Sequence, residues 1–275
     1  MVVAGLPRGP VTKCGVVRKA MAAPRVHVVA FATHSEGMYE SMMEDARLHG
    51  MHIEVLGLGT TWESFFGKLR AVLDFTSDRA RVGQDDLVVV IDAFDTRING
   101  NVDDIRAGWA DAGRPDILFS RDVASLAGLP LPTVLSDYLR GRVFGGPLNA
   151  GMYMGIAGPL AKLQGDALAF EAQCKKDDQC AFNALADPHA IAVDDSELVF
   201  KNVERVDRGR PASELAAPAV FYGYPATLTV ARVMRATGEY APFFIPEIVA
   251  TVALLAAAVY MWRRRGKRVK AGPSR

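Results

Sequence analysis

Short apolar runs alternate with amphipathic stretches along most of the chain. Residues 26–31 (VHVVAF) form a β-branched run, the turn-like THSEG follows, and residues 38–49 carry apolar positions at helical spacing, which predicts strand, loop and helix in that order. Residues 52–58 predict a second strand, 63–75 a second helix, and 87–91 (LVVVI) a continuous apolar run of the kind found in a strand covered on both faces. Residues 103–112 predict a helix, 117–119 and 152–156 two more strands, and 159–172 another helix. This alternation predicts an α/β domain with a mixed, mostly parallel sheet flanked by helices, in which ligands bind beyond the carboxyl ends of the strands. Residues 128–147, rich in Gly, Pro and Leu, interrupt the alternation and read as a lid or substrate loop.

The C-terminal pattern differs. From 248 to 262 the sequence IVATVALLAAAVYMW has no charged residue, and counting back to Phe243 through Glu247 gives 20 residues, about the length of a membrane-spanning helix. Phe243 and Phe244 sit at one end, Tyr260 and Trp262 at the other, and Arg263, Arg264 and Arg265 follow at once, the arrangement of an aromatic belt with a cationic stop. The sequence therefore divides into a basic N-terminal extension over 1–25, expected to be disordered, a body over 26–242, a transmembrane helix over 243–262 and a basic tail over 263–275. The expected partner of 243–262 is the lipid bilayer, in a single-pass protein of the endoplasmic reticulum, Golgi or another endomembrane. The arginine cluster would sit in the cytoplasm and the body on the far side if a signal for export precedes it; residues 1–25 lack a clear apolar core, so Met21 as the start, or a tail anchor with a cytosolic body, stays open.

Composition sharpens this division. The chain has 275 residues, half of them apolar, with 32 Lys and Arg against 31 Asp and Glu. That balance excludes a disordered tail and offers no basic excess for nucleic acid, which is not an expected partner. The two ends hold twelve of the basic residues and no acid, so residues 26–262 carry 20 basic against all 31 acidic side chains, a net of −11. Three cysteines are too few for a disulfide-stapled miniprotein.

The candidate chemistry centres on DLVVVIDAFDTRING. Asp92 and Asp95 follow the apolar strand at once, where the chain turns out into the ligand crevice. Two carboxylates three residues apart can hold Mn²⁺ or Mg²⁺, which in turn grips a diphosphate. Helix capping is the alternative for such a pair, and it is weakened by the apolar strand before it and by a second acidic pair, Asp177 and Asp178, with Gln179 at another loop-to-helix boundary. A dehalogenase-type phosphatase would place its two aspartates two residues apart after the first strand, and a dinucleotide fold would place GxGxxG there; neither pattern is present.

These segments, in order, resemble the glycosyltransferase domain of the procollagen lysyl hydroxylase and glycosyltransferase (PLOD) family. The matching pieces are HVVAFATHSEG, IEVLGLGTTW, GKLRAVL, LVVVIDAFDTRING, ILFSRD, LNAGMYMGIAG, DDQCAF, ELVFKNV and PAVFYGYPATL, collinear over about residues 26–240. The resemblance implies a GT-A-like fold, a UDP-sugar donor, Mn²⁺ or Mg²⁺, and transfer of a galactose or glucose to a hydroxyl acceptor on a protein or glycan, with hydroxylysine on a collagen-like protein among the acceptors. It implies metal and diphosphate roles for Asp92 and Asp95, nucleotide contacts from Thr33 and Lys68, an aromatic on the uracil side at Phe94, donor-sugar contacts from Asn149 and Gly151 in an LNAG turn, and catalytic roles for Asp178 and Gln179 in the acidic loop. Tyr222 stands in Tyr222-Gly223 where the family has a metal-binding His-Gly pair, and Lys175 and Lys176 stand where it has more aspartates. A phenol is a poor substitute for imidazole as a Mn²⁺ ligand, so a second reading is a catalytically silent relative that binds sugar or protein at a membrane.

The other residues read more simply. None of the five histidines has ligand spacing; Trp62 and Trp109 are expected to pack; Arg97 is expected to pair at the surface with Asp103 or Asp104; and Cys174 and Cys180 read either as a disulfide or as buried or free thiols.

Overall fold

The structure is a computed structural model that describes residues 23–122, 146–174, 177–204, 207, 209–215, 218–225, 249, 251–256 and 260. The order of elements begins β1 (Val26–Phe31), α1 (Tyr39–Leu48), β2 (Ile53–Leu56), α2 (Phe65–Ser77), β3 (Leu87–Asp92), β4 (Thr96–Ile98) and α3 (Val102–Asp111). It continues with β5 (Ile117–Arg121), β6 (Leu148–Ile156), α4 (Ala157–Leu168), α5 (Asp178–Ala184), β7 (Ala192–Val193), β8 (Phe200–Asn202) and β9 (Phe221–Gly223).

Six strands form the central sheet in the order β2-β1-β3-β6-β5-β7. The β1–β2, β1–β3 and β5–β7 pairings are parallel, and β6 runs antiparallel to both of its neighbours. The expected mixed, mostly parallel sheet is thus present, and its one reversed strand decides where the site forms. Because Phe31 pairs with Asp92 and Ile91 with Met152, the carboxyl ends of β1 and β3 meet the amino end of β6 at one edge. Ser120 pairs with Asn149 and Arg121 with Leu148, which brings the carboxyl end of β5 to the same edge.

Strand β3 reads as uninterrupted apolar sequence because both of its faces are covered. Val88 and Val90 point into a core shared with Phe66, Leu69 and Val72 of α2, Leu160 and Leu163 of α4 and Phe182 of α5. Leu87, Val89 and Ile91 point into the opposite core, with Met42 and Ala46 of α1 and Ile105 of α3. Burying each such side chain contributes about 1.5–3 kcal/mol, which makes β3 a rigid base for the aspartate at its end. Asn101 caps α3 reciprocally with Asp104, fixing that helix at the far side of the β4 excursion.

A smaller sheet, β4-β9-β8, stands beside the first and was not foreseen from the sequence. Its three short strands carry only three residues each, too few for a periodic signal. Two further expectations change, and one open alternative is resolved. LNAG is not a turn: residues 148–151 open the nine-residue β6, held by pairing with β5 and β3 despite two glycine-type breaks in its sequence. Arg97 pairs with neither Asp103 nor Asp104 but with Asp45 on α1, while Asp103 pairs with Arg106. Cys174 and Cys180 form a disulfide.

The 1–25 extension and the 128–147 loop lie outside the described residues except at their last few positions, as does all of 263–275 and most of the 243–262 span. Within that span Val249, residues 251–256 and Tyr260 are helical and exposed, with Leu254 at 72%. Among the described residues no helix is long and apolar enough to cross a membrane.

Candidate active site

The edge where β1, β3, β5 and β6 converge is organised around a buried cation. Lys68, on the core-facing side of α2, is 2% exposed. Its Nζ lies 2.9 Å from an Asp178 carboxylate oxygen, 3.2 Å from Asp92 Oδ1 and donates to the Ala150 carbonyl at 3.1 Å. Two of the ammonium's three protons are donated, to Asp92 Oδ1 and the Ala150 carbonyl, while Asp178 Oδ2 lies at ion-pair distance without hydrogen-bond geometry. Burial works to lower the lysine pKa, but the charges of Asp178 and Asp92 overcome it and hold Lys68 above its ordinary value. Burial pushes the Asp178 carboxyl up to about 6, against the pull of Lys68. The ion triad therefore joins α2, the end of β3, the start of β6 and the start of α5.

Beside the triad lies a polar surface that sequence reasoning located only in part. Gln179 accepts from Ala150 N at 3.3 Å and donates to Asp122 Oδ2 at 3.4 Å. Asn149 donates to Asp122 Oδ1 at 3.5 Å and accepts from Gly151 N at 2.8 Å. Asp122, the first residue beyond β5, thus belongs to the site; its place at a strand's carboxyl end was the available signal. Gly151 lets the Asn149 and Asp92 side chains lie against the β6 backbone, because a Cβ there would stand 2.8 Å from Asn149 Oδ1 and 3.0 Å from Asp92 Oδ2.

The neighbouring loops carry the remaining candidates. Thr33 accepts from Gly59 N at 3.0 Å, tying the loop after β1 to the loop after β2. Phe94 is half-buried under the His34 ring, centroids 5.6 Å apart. Its carbonyl accepts from Met38 N at 2.9 Å, a close approach that requires Gly37 at φ +60°, where a Cβ would lie 2.3 Å from Phe94 O. Asp95 closes this segment through its carbonyl, which accepts from Tyr224 N at 2.7 Å. Trp62 does not pack inside: it is 43% exposed and lies against the rings of Phe31 and Phe65 at the same edge of the sheet. Trp109 packs as expected and donates to the Pro115 carbonyl.

Tyr222 is fully buried on β9 in a cluster with Val203, Leu215 and Tyr224. Burial raises its phenol pKa against an Asn99 hydrogen bond and the Lys201 charge, so it stays a neutral hydroxyl and not an anionic ligand. Among the described residues no group of three or more His, Cys, Asp or Glu side chains is arranged to hold a metal ion. Asp92, with its side chain 35% exposed, ends β3, and Asp95 lies three residues on in the loop that follows.

A search of curated proteins finds no match to the chain. Among solved structures, a glycosyltransferase involved in the glycosylation of the major capsid of PBCV-1 superposes with a TM-score of 0.48 at 12% identity, covering 77% of this chain and 98% of that one. The family model of the PLOD GT domain matches residues 22–209, which takes in every strand from β1 to β8 and all of the triad. The chain belongs to the PLOD GT family of glycosyltransferase domains.

Proposed function

We propose that the body over 26–242 transfers a hexose, galactose or glucose, from a UDP-sugar to a hydroxyl of a protein or glycan acceptor, with hydroxylysine-type acceptors on collagen-like proteins the first to try. The observation that carries this reading is the Lys68 triad: an otherwise costly buried lysine is used to fix one carboxylate of the Asp92/Asp95 pair at the open edge and one carboxylate of the acidic loop.

Asp92 and Asp95 would hold a divalent cation, Mn²⁺ or Mg²⁺, which when bound neutralises charge growing on the departing diphosphate. Asn149, Asp122 and Gln179 form one hydrogen-bonded surface that can receive sugar hydroxyls, and Gly151 lets Asn149 and Asp92 approach each other across β6 so that this surface lies next to Asp92. Asp178 and Lys68 act from beneath as the pair that positions this surface. Thr33, Phe94 and the exposed Trp62 border the side on which a uracil base would lie. In the transfer the bond from the anomeric carbon to the diphosphate oxygen breaks, the acceptor oxygen bonds to that carbon in its place, and the acceptor's hydroxyl proton is released to solvent as UDP departs.

A membrane anchor over 243–262 completes the reading, supported by its apolar sequence, its aromatic ends and its following arginines. The Cys174–Cys180 disulfide supports an oxidising compartment for the body, the side on which the positive-inside rule also places it. Tyr222 in place of a histidine ligand favours the second reading, a catalytically silent binding module. Release of UDP from UDP-galactose and UDP-glucose with Mn²⁺, compared between wild type and Asp92→Asn/Asp95→Asn, decides between them. Turnover lost in the variant is expected, and equal turnover in both would sink the transfer reading.

A further inference from the structure

The half-cystines Cys174 and Cys180 bracket the residues that connect the acidic loop to the site. Cys174 is fully buried in the core between the sheet and α2, α4 and α5. Cys180 lies in the first turn of α5, a helix of seven residues that is too short to persist without tertiary support. Asp177 N donates to the Cys174 carbonyl at 2.9 Å, and the Asp177 carboxylate accepts from Cys180 N at 3.1 Å, so the helix start is folded back on the bond. Asp178 and Gln179 lie within this ring, and each makes a contact the site needs: the Lys68 pair and the bridge from Ala150 to Asp122. The far end of α5 is held separately. Phe182 is buried edge-on against Phe119, and Asn183 Oδ1 accepts from Leu148 N at 3.0 Å. Asp92 and Asp95 belong to β3 and its following loop and do not depend on α5 for their backbone.

From this division of anchors we propose that the Cys174–Cys180 disulfide is a positioning element for Asp178 and Gln179, whose reduction slows transfer while nucleotide binding at Asp92 and Asp95 persists. The inference rests on reading this edge as the transfer centre. In the reduction, one thiolate of a dithiol attacks the partly buried Cys180 sulfur and Cys174 departs as a thiolate. The second thiol then attacks the mixed disulfide and releases Cys180. Two electrons pass from the dithiol to the protein, two protons end on the cysteines, and the reductant closes into its own disulfide.

The test uses the full chain purified without reductant, then treated with dithiothreitol and afterwards reoxidised. Thiol counting under denaturing conditions should rise from one, Cys14, to three of the chain's three cysteines. The expected result on reduction is faster amide exchange over Asp178–Ala184 and a kcat lower by about tenfold or more, as for a misplaced reacting group, with KM for the donor and UDP affinity within about twofold. Reoxidation should restore kcat, and Cys174→Ala/Cys180→Ala should match the reduced protein and ignore dithiothreitol. Three free thiols before reduction overturn the proposal, and so do exchange and turnover that do not change after full reduction. Loss of UDP binding together with cooperative melting also overturns it, because the bond would then support the domain and not the loop. If oxidised protein turns over no UDP-sugar, the transfer reading fails on its own, while exchange over Asp178–Ala184 still decides this one.

Discussion

The Lys68 ammonium lies 2.9 Å from an Asp178 carboxylate oxygen, with both side chains at 5% exposure or less, and 3.2 Å from Asp92. A charge so deeply buried is tolerable only while its partners remain, so the pair is both a structural commitment and the foundation of the site.

Removing one partner should therefore be far worse than removing two. Lys68→Met leaves Asp178 uncompensated and is expected to cost about 3–5 kcal/mol in urea unfolding, whereas Lys68→Met/Asp178→Leu should recover most of that stability with transfer still absent. A loss below about 1 kcal/mol in the single variant would mean that the pair carries no such compensation.

Acidity should separate activity from stability. With its carboxyl held up at about 6, Asp178 contributes stability that is full below the unfolded-state value and is lost as pH rises through about 6. Transfer needs the ionised carboxylate that holds Lys68, so kcat/KM should fall by about tenfold per pH unit below 6. The melting temperature of wild type relative to Asp178→Asn should rise as pH drops from 7.5 to 5. A rate independent of pH over that range would contradict the assignment.

The link between α1 and the second sheet should also be measurable. Arg97 donates from Nε and Nη2 to the two Asp45 oxygens at 2.5 and 2.8 Å, and Ile98 N adds a bond at 3.1 Å. Asp45→Ala should cost about 2 kcal/mol, with Arg97 partly exposed and the ion pair discounted accordingly. Arg97→Lys keeps the charge and loses the fork, and should recover only part of the stability that an uncharged residue at 97 forfeits.

The Asn149 and Asp92 side chains should need the bare backbone at Gly151 to hold their places. In Gly151→Ala the added methyl displaces Asn149 Oδ1 and Asp92 Oδ2, and UDP-sugar KM is expected to rise by about tenfold together with a lower melting temperature. Unchanged KM would place the donor elsewhere along the edge.

Much of this arrangement was legible in the sequence, for reasons that differ by residue. Strand β3 announces itself because burial on both faces demands five apolar side chains in a row, and Asp92 follows from the break in that run. The site's other half depends on contacts between distant segments. Nothing local marks Lys68 as buried, since its position on α2 looks like any lysine between apolar neighbours until α4 and β6 close over it. Asp122 and Gln179 stand 57 residues apart and meet only because β6 runs antiparallel beside β5. Arg97 and Asp45, 52 residues apart, escape notice for the same reason, with nearer aspartates offering a simpler and incorrect partner. LNAG looks like a turn because Asn and Gly disfavour strands, and the pairing of Leu148 and Asn149 with β5, continued by Met152–Ile156 between β3 and β5, overrides that preference.

Calorimetric titration of UDP in the presence and absence of Mn²⁺, on wild type and on Asp92→Asn, decides whether a nucleotide-sugar site lies at the end of β3. Binding to wild type is expected to strengthen by about tenfold or more with Mn²⁺, and Asp92→Asn to lose that metal dependence. UDP binding that ignores both Mn²⁺ and the substitution, or no binding at all, would contradict a nucleotide-sugar site at the end of β3.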